Sequence, residues 1–468
     1  MRHVTIKRFG PIREIDIDLD KSLEVVIGPQ ASGKSTFSKV VYFCRKIKDY
    51  FLQYLNNVAN TEYYYTDELY TRFLKYIRRP FLGYFGTTKH METFSIRYYY
   101  EKESKRFVSI ILDDDRYAKF SFSSVMREDI CDMIRAAVKV AADNNDLSFS
   151  INFLAQASFA AKAGKMVQQI FRDDYMLLYI PAGRNLLATL PDGIMPKGIP
   201  FSDRIDLDGE IDISQTDLIT QEFVQYIRSM RSSFGSRLEE IVQNYLKTVK
   251  GQIRNQDVEL ACQLIHDILR GDYVYDKDGE KLFYDDEHWV KLMFGSSGQQ
   301  EIVWALNIIF LAILKNEKTF LVFEEPESHL FPDSQEKIAQ LAALLIYSSN
   351  SQVIITTHSP YMLTAFNLLI YSGEREKKTG AETSVIRKEF RIAPGSVGAY
   401  FISAEEGCLK NIVGEKRGLI DALQIDGISE SINERMDKIL YGGACDGGQG
   451  CLADQRRPAY GALKSTWA

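Results

Sequence analysis

The sequence predicts an α/β fold built around a phosphate-binding loop, and three stretches carry that expectation. The apolar β run at residues 23–27 leads straight into Gly28-Pro29-Gln30-Ala31-Ser32-Gly33-Lys34-Ser35-Thr36, a complete G-x-x-x-x-G-K-S string in strand–loop–helix context. Two further apolar runs, 319–323 and 352–357, read as buried strands. They end in Glu324-Glu325-Pro326-Glu327 and His358-Ser359-Pro360, with a helix to Tyr347 between them.

The residue types state the chemistry. Two glycines let the loop backbone curl so that its N–H groups converge on a β-phosphate, and the helix opening behind it adds its positive end. Lys34 is suited to neutralise β- and γ-phosphate charge, and the Ser35 hydroxyl to hold Mg²⁺. Adjacent acids past a buried strand are costly unless they meet a metal or a donor. Glu324 is therefore assigned to Mg²⁺ through its water shell, and Glu325 to polarising an attacking water. His358, on the sheet edge that carries the phosphate loop, is placed to contact a γ-phosphate. Gly295-Ser296-Ser297-Gly298-Gln299-Gln300-Glu301 opens the apolar helix 302–314. Its Ser and Gly offer a hydroxyl and free N–H groups to an anion, or simply cap the helix.

Composition bounds the rest. The 468 residues allow roughly two to three domains, and 45% hydrophobic content supports a real core. With 57 basic and 63 acidic residues the net charge is -6, so the total does not mark a nucleic-acid binder, although a local basic face stays open. The cysteines at 44, 131, 262, 408, 445 and 451 form no C-x-x-C pair and have no histidines at zinc spacing, which points to reduced thiols in the cytoplasm and no structural metal. Met1-Arg2-His3 runs directly into Val4-Thr5-Ile6, leaving no targeting segment to expect. The run 302–314 contains Asn307 and is too short to span a bilayer, so it reads as a core helix and no membrane is expected.

In chain order, 4–8 and 14–20 alternate as a hairpin around Gly10-Pro11, and a helix over 36–54 follows the loop. Residues 51–107 are rich in tyrosine and phenylalanine, including Tyr63-Tyr64-Tyr65 and Tyr98-Tyr99-Tyr100, around Lys75, Arg78 and Arg79. That is the composition of a base-stacking surface, but an amphipathic helix packed by aromatics is the simpler reading. Residues 94–124 alternate as strands, 125–172 read as helical, and Asp113-Asp114-Asp115 reads as a hairpin turn before a metal site. An apolar strand at 175–180 ends in Pro181-Ala182-Gly183-Arg184, whose arginine faces a phosphate or a neighbouring subunit, or merely lies on a surface turn. A long loop over 191–216, helix over 218–250 and a hairpin on Asp278-Gly279 follow. The division is then 1–50 and 271–440 as two parts of one nucleotide-binding domain, 51–270 as a mixed, mainly helical insertion for recognition or assembly, and 441–468 as a glycine-rich, disordered tail.

The order of these motifs resembles the phosphate loop, signature motif, acidic strand end and switch histidine of ABC-type ATPases. More narrowly, Phe9-Gly10-Pro11-Ile12, Tyr179-Ile180-Pro181-Ala182-Gly183-Arg184, Ser296-Ser297-Gly298-Gln299-Gln300-Glu301 and Glu324-Glu325-Pro326-Glu327-Ser328-His329-Leu330-Phe331-Pro332 resemble the AAA_15/AAA_21 branch. That branch includes the ATPase parts of overcoming-lysogenization-defect (OLD) nucleases and of bacterial phage-defence systems, among them the PARIS type.

The resemblance implies a P-loop ATPase with an N-terminal antiparallel β element, ATP and Mg²⁺ as ligands, and an ATP sandwich of two copies or a higher homo-oligomer. In it Ser297, Gly298 and Gln299 of one copy close over nucleotide held by Lys34 of another. Glu324 replaces the usual aspartate, and Gln53 and Gln156 are positional candidates for the Mg²⁺-sensing glutamine. About 260 residues between the phosphate loop and Ser296 are too many for a transporter ATPase, and the lack of heptads argues against long SMC or Rad50 arms. The roughly 110 residues after His358 show no Glu plus Asp-x-Asp nuclease constellation. The resulting expectation is a sensor ATPase controlling a separate TOPRIM-like nuclease or toxin effector in phage defence, triggered by DNA or a phage protein. The alternative is an SMC/Rad50-like DNA clamp.

Overall fold

β1 (His3–Phe9) and β2 (Ile12–Asp18) form the hairpin around Gly10-Pro11, with Val4, Ile6 and Ile15 buried on its inner face. β3 (Leu23–Ile27), buried along its length, delivers the phosphate loop and α1 (Lys34–Ala59). α2 (Thr66–Phe85), β4 (Ser95–Glu101), β5 (Arg106–Leu112), β6 (Ala118–Phe122), α3 (Ser124–Asn144), α4 (Phe149–Ile170) and β7 (Met176–Ile180) follow. Next come α5 (Leu218–Met230), α6 (Leu238–Thr248), α7 (Asn255–Leu269), β8 (Asp272–Asp276), β9 (Gly279–Phe283) and β10 (Trp289–Lys291). α8 (Ser297–Leu314), β11 (Thr319–Glu324), α9 (Pro332–Ser349), β12 (Gln352–Thr357), α10 (Pro360–Thr379), β13 (Val397–Ile402) and β14 (Leu409–Asn411) complete the order. This computed structural model describes residues 1–59, 66–144, 149–184, 217–248, 255–379, 385–393, 395–414 and 417–421, with 432–436 and 439. The side chains of 66–67, 143–144, 149–157, 255, 377 and 379 are outside that description. Every element from β1 to β14 belongs to one unit, Met1–Ala422; in the second, Leu423–Ala468, a helical turn at 432–436 is described.

The central sheet has the order β14-β13-β3-β12-β11-β7 and is parallel except for its edge strand β14. Its inner strands β3, β11 and β12 are buried along their whole length, with apolar residues at their centres, as in a sheet covered on both faces. A second, antiparallel sheet runs β2-β1-β4-β5-β6, and a small one runs β10-β9-β8. Residues 51–270, expected as an insertion, thus supply strands to both larger sheets. β4 pairs directly with β1, and β7 lies beside β11, where its apolar residues 177–180 are buried.

Most of the described aromatics of 51–122 are core. Phe43, Phe81, Phe85, Phe94 and Phe120 interleave between α1, α2 and the antiparallel sheet, with Phe81 and Phe85 centroids 4.8 Å apart. Lys75 and Arg79 are exposed on α2, while Arg78 donates to the Ala118 carbonyl at 3.0 Å. Tyr117 is an exposed aromatic beside this face, with Arg78 5.5 Å and Lys89 5.8 Å from its ring centroid, and Tyr63-Tyr64-Tyr65 lies outside the described residues. Asp113 closes the β5–β6 turn by accepting from the Tyr117 N–H at 2.6 Å.

Two local differences have simple causes. The helix expected over 218–250 breaks after Met230 into a 3₁₀ turn, Arg231–Phe234, where Ser232, Ser233 and Gly235 weaken helical continuity. The β8–β9 register pairs Asp276 with Gly279, so the hairpin tip is Lys277-Asp278, one residue earlier than expected. α8 is apolar on all sides, and all of 301–314 is buried inside the protein. The expected loop over 191–216 and tail over 441–468 lie outside the described residues.

Candidate active site

Four strand ends stand side by side at the carboxyl edge of the parallel sheet, the place where open α/β sheets form their ligand crevice. The register sets Ile27 beside Thr357, Thr356 beside Glu324, and Phe323 beside Ile180. The loops leaving β3, β12, β11 and β7 therefore bring the Lys34 loop, His358, Glu325 and Arg184 to one edge at about 5 Å per strand.

The phosphate loop is shaped by contact with the N-terminal hairpin. Gly33 has φ +105°, and a Cβ there would lie 2.9 Å from Ile12 Cγ1 and 3.2 Å from Pro11 Cγ, so the Gly10-Pro11-Ile12 turn seats the loop. Lys34 folds back over it, donating to the Gly28 and Pro29 carbonyls at 2.9 Å each. Burial pulls the Lys34 pKa down, against the opposing pull of Glu325, Glu324 and Glu327. Ser32 Oγ is buried without a partner, Pro29, Gln30, Ala31 and Ser35 are exposed, and Thr36 is half-buried. An orphaned hydroxyl, the unpaired N–H groups of the first turn of α1 and a lysine resting on carbonyls fit a polyphosphate.

Glu324 is more protein-bound than the sequence implies. Its Oε2 accepts from the Ala182 N–H at 3.3 Å and its Oε1 from the Ser38 hydroxyl at 3.5 Å. The Tyr179 hydroxyl, 3.1 Å from Ser38 Oγ, also bonds to it, and burial raises the Tyr179 pKa well above its ordinary value with Glu324 adding to the shift. The exposed Ser35 hydroxyl and one carboxylate leave the remaining positions to phosphate and water, a donor set that suits Mg²⁺. Among the described residues no group of three or more His, Cys, Asp or Glu side chains could hold a metal by itself.

Glu325 is held in a backbone conformation that L side chains seldom adopt, φ +42°, with its N–H donating to the Thr356 carbonyl at 2.9 Å. Its carboxylate lies 3.5 Å from His358 Nε2. That hydrogen bond, with the charges of His358, Lys34 and Arg184, holds the Glu325 pKa below the usual carboxylate range against its partial burial. It is therefore an ionised acceptor that can orient and polarise a water. Glu327 joins the two loops, accepting from the Thr357 hydroxyl at 2.8 Å and the His358 N–H at 2.7 Å.

Arg184 matches none of the sequence-based readings, being neither a surface residue nor aimed at a ligand or second subunit. It is fully buried and bonded to the ends of β7 and β11 and to α8. Ser296 caps α8 in a reciprocal box with Gln299, so the capping reading holds and Ser297 stands exposed at the first helical position. Gln299, expected to touch nucleotide, is instead committed to that box and to the Leu269 carbonyl at 2.7 Å. Gly298 abuts the loop after β11, where a Cβ would come 2.7 Å from the His329 carbonyl oxygen. No hydrogen bond joins Ser297 or Gly298 to the phosphate loop among the described residues. Gln53 is exposed and 19 residues past Lys34 on α1, roughly 28 Å along a helix rising 1.5 Å per residue, which removes it as a metal sensor. The Gln156 side chain lies outside the description.

Sequence reasoning did not single out Ser38, Tyr179, Thr356 or the role of Glu327. Ser38, one turn beyond Lys34, carries the clearest available signal.

No curated protein matches the chain. Among solved structures it is similar to an SMC head bound to the C-terminal winged-helix domain of ScpA, at 13% identity and TM-score 0.39 over 88% of this chain and 96% of that one. The SMC head domain from Thermotoga maritima gives 13% and 0.34 over 78% and 92%. A Pyrococcus furiosus SMC head with an extended coiled coil, bound to the C-terminal domain of ScpA, gives 13% and 0.36 over 92% and 100%. The fold is α/β, a mainly parallel sheet with a phosphate loop at its carboxyl edge and an antiparallel β element that includes the N-terminal hairpin. Residues 1–363, which contain the phosphate loop, Glu324, Glu325 and His358, match the AAA_15 model, described as an AAA ATPase domain, and the chain belongs to that family.

Proposed function

We propose that this chain hydrolyses ATP to ADP and phosphate, and that nucleotide-dependent assembly of its copies controls a separate effector. The observation that carries hydrolysis is the Glu325–His358 pair at 3.5 Å, on the sheet edge from which the Lys34 loop emerges. Lys34 and the loop N–H groups bind the phosphates; Glu325 orients the attacking water, and His358 steadies Glu325 while facing the γ-phosphate. Ser35 and Glu324 would hold Mg²⁺, which when bound offsets phosphate charge. Among the described residues no hydrogen bond joins Ser297 or Gly298 to their own phosphate loop, which supports a site completed by a second copy.

Mixing two defective proteins tests the shared site. Lys34→Ala and Ser297→Arg should each be inactive alone, whereas their mixture forms one intact composite site and recovers part of the activity. Absence of recovery, with both proteins folded, would count against a shared site.

The phase of biology rests on the motif strings that resemble PARIS-type systems: a sensor whose assembly releases or activates a TOPRIM-like nuclease against phage. Co-purification with a nuclease encoded beside it supports this reading. ATP-dependent DNA binding by the chain alone would favour an SMC/Rad50-like clamp instead.

A further inference from the structure

All three guanidinium nitrogens of Arg184 are bonded within the protein. Its Nη1 donates to the Pro181 and Glu324 carbonyls at 2.7 Å each, its Nη2 to the Glu325 carbonyl at 3.2 Å, and its Nε to the Glu301 carbonyl at 3.1 Å. Glu301 also pairs with it, Oε1 to Nη2 at 3.4 Å, and accepts the Arg184 backbone N–H at 3.0 Å. Both side chains are essentially inaccessible, at 0% and 1% exposure. One planar fork therefore joins the end of β7, the end of β11 and the second turn of α8.

Two features give this geometry a function beyond packing. The Glu325 carbonyl that it binds belongs to the residue held at φ +42°, so the guanidinium stabilises the backbone turn that aims the carboxylate toward His358. Glu301 lies four residues after Ser297 on the same helix, so a shift at the exposed end of α8 is felt at the same guanidinium. We infer that Arg184 is a positioning residue that sets the orientation of Glu325 and couples it, through Glu301, to the amino end of α8. This rests on the reading of Glu325 as the residue that polarises water. Lysine cannot replace the fork, because a point charge does not reach carbonyls from three segments in one plane.

The test uses the full chain with Arg184→Lys, Arg184→Gln, the charge-balanced pair Arg184→Gln/Glu301→Gln, and Glu325→Gln, measuring thermal unfolding, binding of a fluorescent ATP analogue and steady-state hydrolysis. Arg184→Lys and Arg184→Gln are expected to bind nucleotide within about threefold of wild type while kcat falls by about 50-fold or more. Because Arg184 acts through Glu325, adding Arg184→Gln to Glu325→Gln should slow the enzyme no more than about threefold further. Folded variants with wild-type kcat, or losses that multiply in the double variant, overturn the inference while leaving hydrolysis standing. Failure of every Arg184 variant to fold overturns it as well, by making the residue purely structural. A wild-type protein that binds ATP without hydrolysing it refutes the site reading itself, and the inference falls with it.

Discussion

Helix α1 carries two sets of cations, and they are built in opposite ways. At its start Lys34 rests on two backbone carbonyls of its own loop, with the carboxylates of the site attracting it without a direct bond. Three turns later Arg45 and Lys48 meet a complete set of partners. Arg45 holds both oxygens of Asp173 at 2.6 and 2.9 Å and the Gln352 amide oxygen at 2.9 Å, and its guanidinium lies 3.9 Å from the Phe320 ring centroid. Lys48 reaches Asp173 Oδ1 at 3.0 Å and the Tyr175 carbonyl at 2.6 Å. The closed cluster ties α1 to the amino ends of β7 and β12. The open one leaves donors to be completed from outside. On α1, then, the fully partnered pair Arg45 and Lys48 is suited to holding the fold together, and Lys34 is suited to a ligand.

That contrast is broken most forcefully at Asp173. Asp173→Asn leaves two buried cations unmatched and is expected to cost about 3–5 kcal/mol in urea unfolding. The surviving folded protein should still bind ATP normally; loss of binding with little loss of stability would reverse the roles of the two clusters. Lys34→Ala should do the opposite, weakening ATP binding by about ten- to a hundredfold, as expected for a lost charge-assisted bond, with unchanged urea midpoint.

Acid sharpens the same difference. Burial alone would raise the Asp173 pKa, but Arg45 and Lys48 outweigh it and hold it well below the usual range. The group therefore stabilises the fold above the ordinary aspartate pKa, and that contribution is lost as pH falls through the carboxylate range. A thermal-unfolding series should show the acid-side loss in wild type and its attenuation in Asp173→Asn.

The smallest effect concerns Glu24, a buried carboxyl with no cation bonded to it. Burial pushes it up to about 8 from 4.5, partly opposed by bonds from Tyr400 and the Lys21 N–H. The folded state then keeps a proton that the unfolded state releases, so this group favours folding at low pH and its contribution is lost as pH rises from about 4.5 toward 8. Glu24→Gln should flatten that slope; an unchanged slope would place the titration elsewhere.

The sequence made legible whatever chemistry is local in the chain. The loop at 28–36, the acids at 324–325 and His358 each announce themselves because a strand end followed by a particular residue type is a short-range pattern. The three-way contact of Arg184 was not legible, since its partners lie about 120 and 140 residues away and only the sheet order brings them together. The bond from Gln299 to the Leu269 carbonyl was not legible for the related reason that its partner comes from a different helix. That β4 pairs with β1 and β7 with β11 was not legible within 51–270, because strand pairing is decided by partners outside the segment.

The most direct measurement is the steady-state ATP hydrolysis rate of the wild-type protein beside Glu325→Gln, purified identically and both saturated with ATP. The wild type should turn over, and Glu325→Gln should bind ATP with a rate lower by about 10²–10⁴-fold, the range for loss of one positioned acid–base group. Equal rates in the two proteins would contradict the assignment of Glu325, and with it the reading of this sheet edge as the site of hydrolysis.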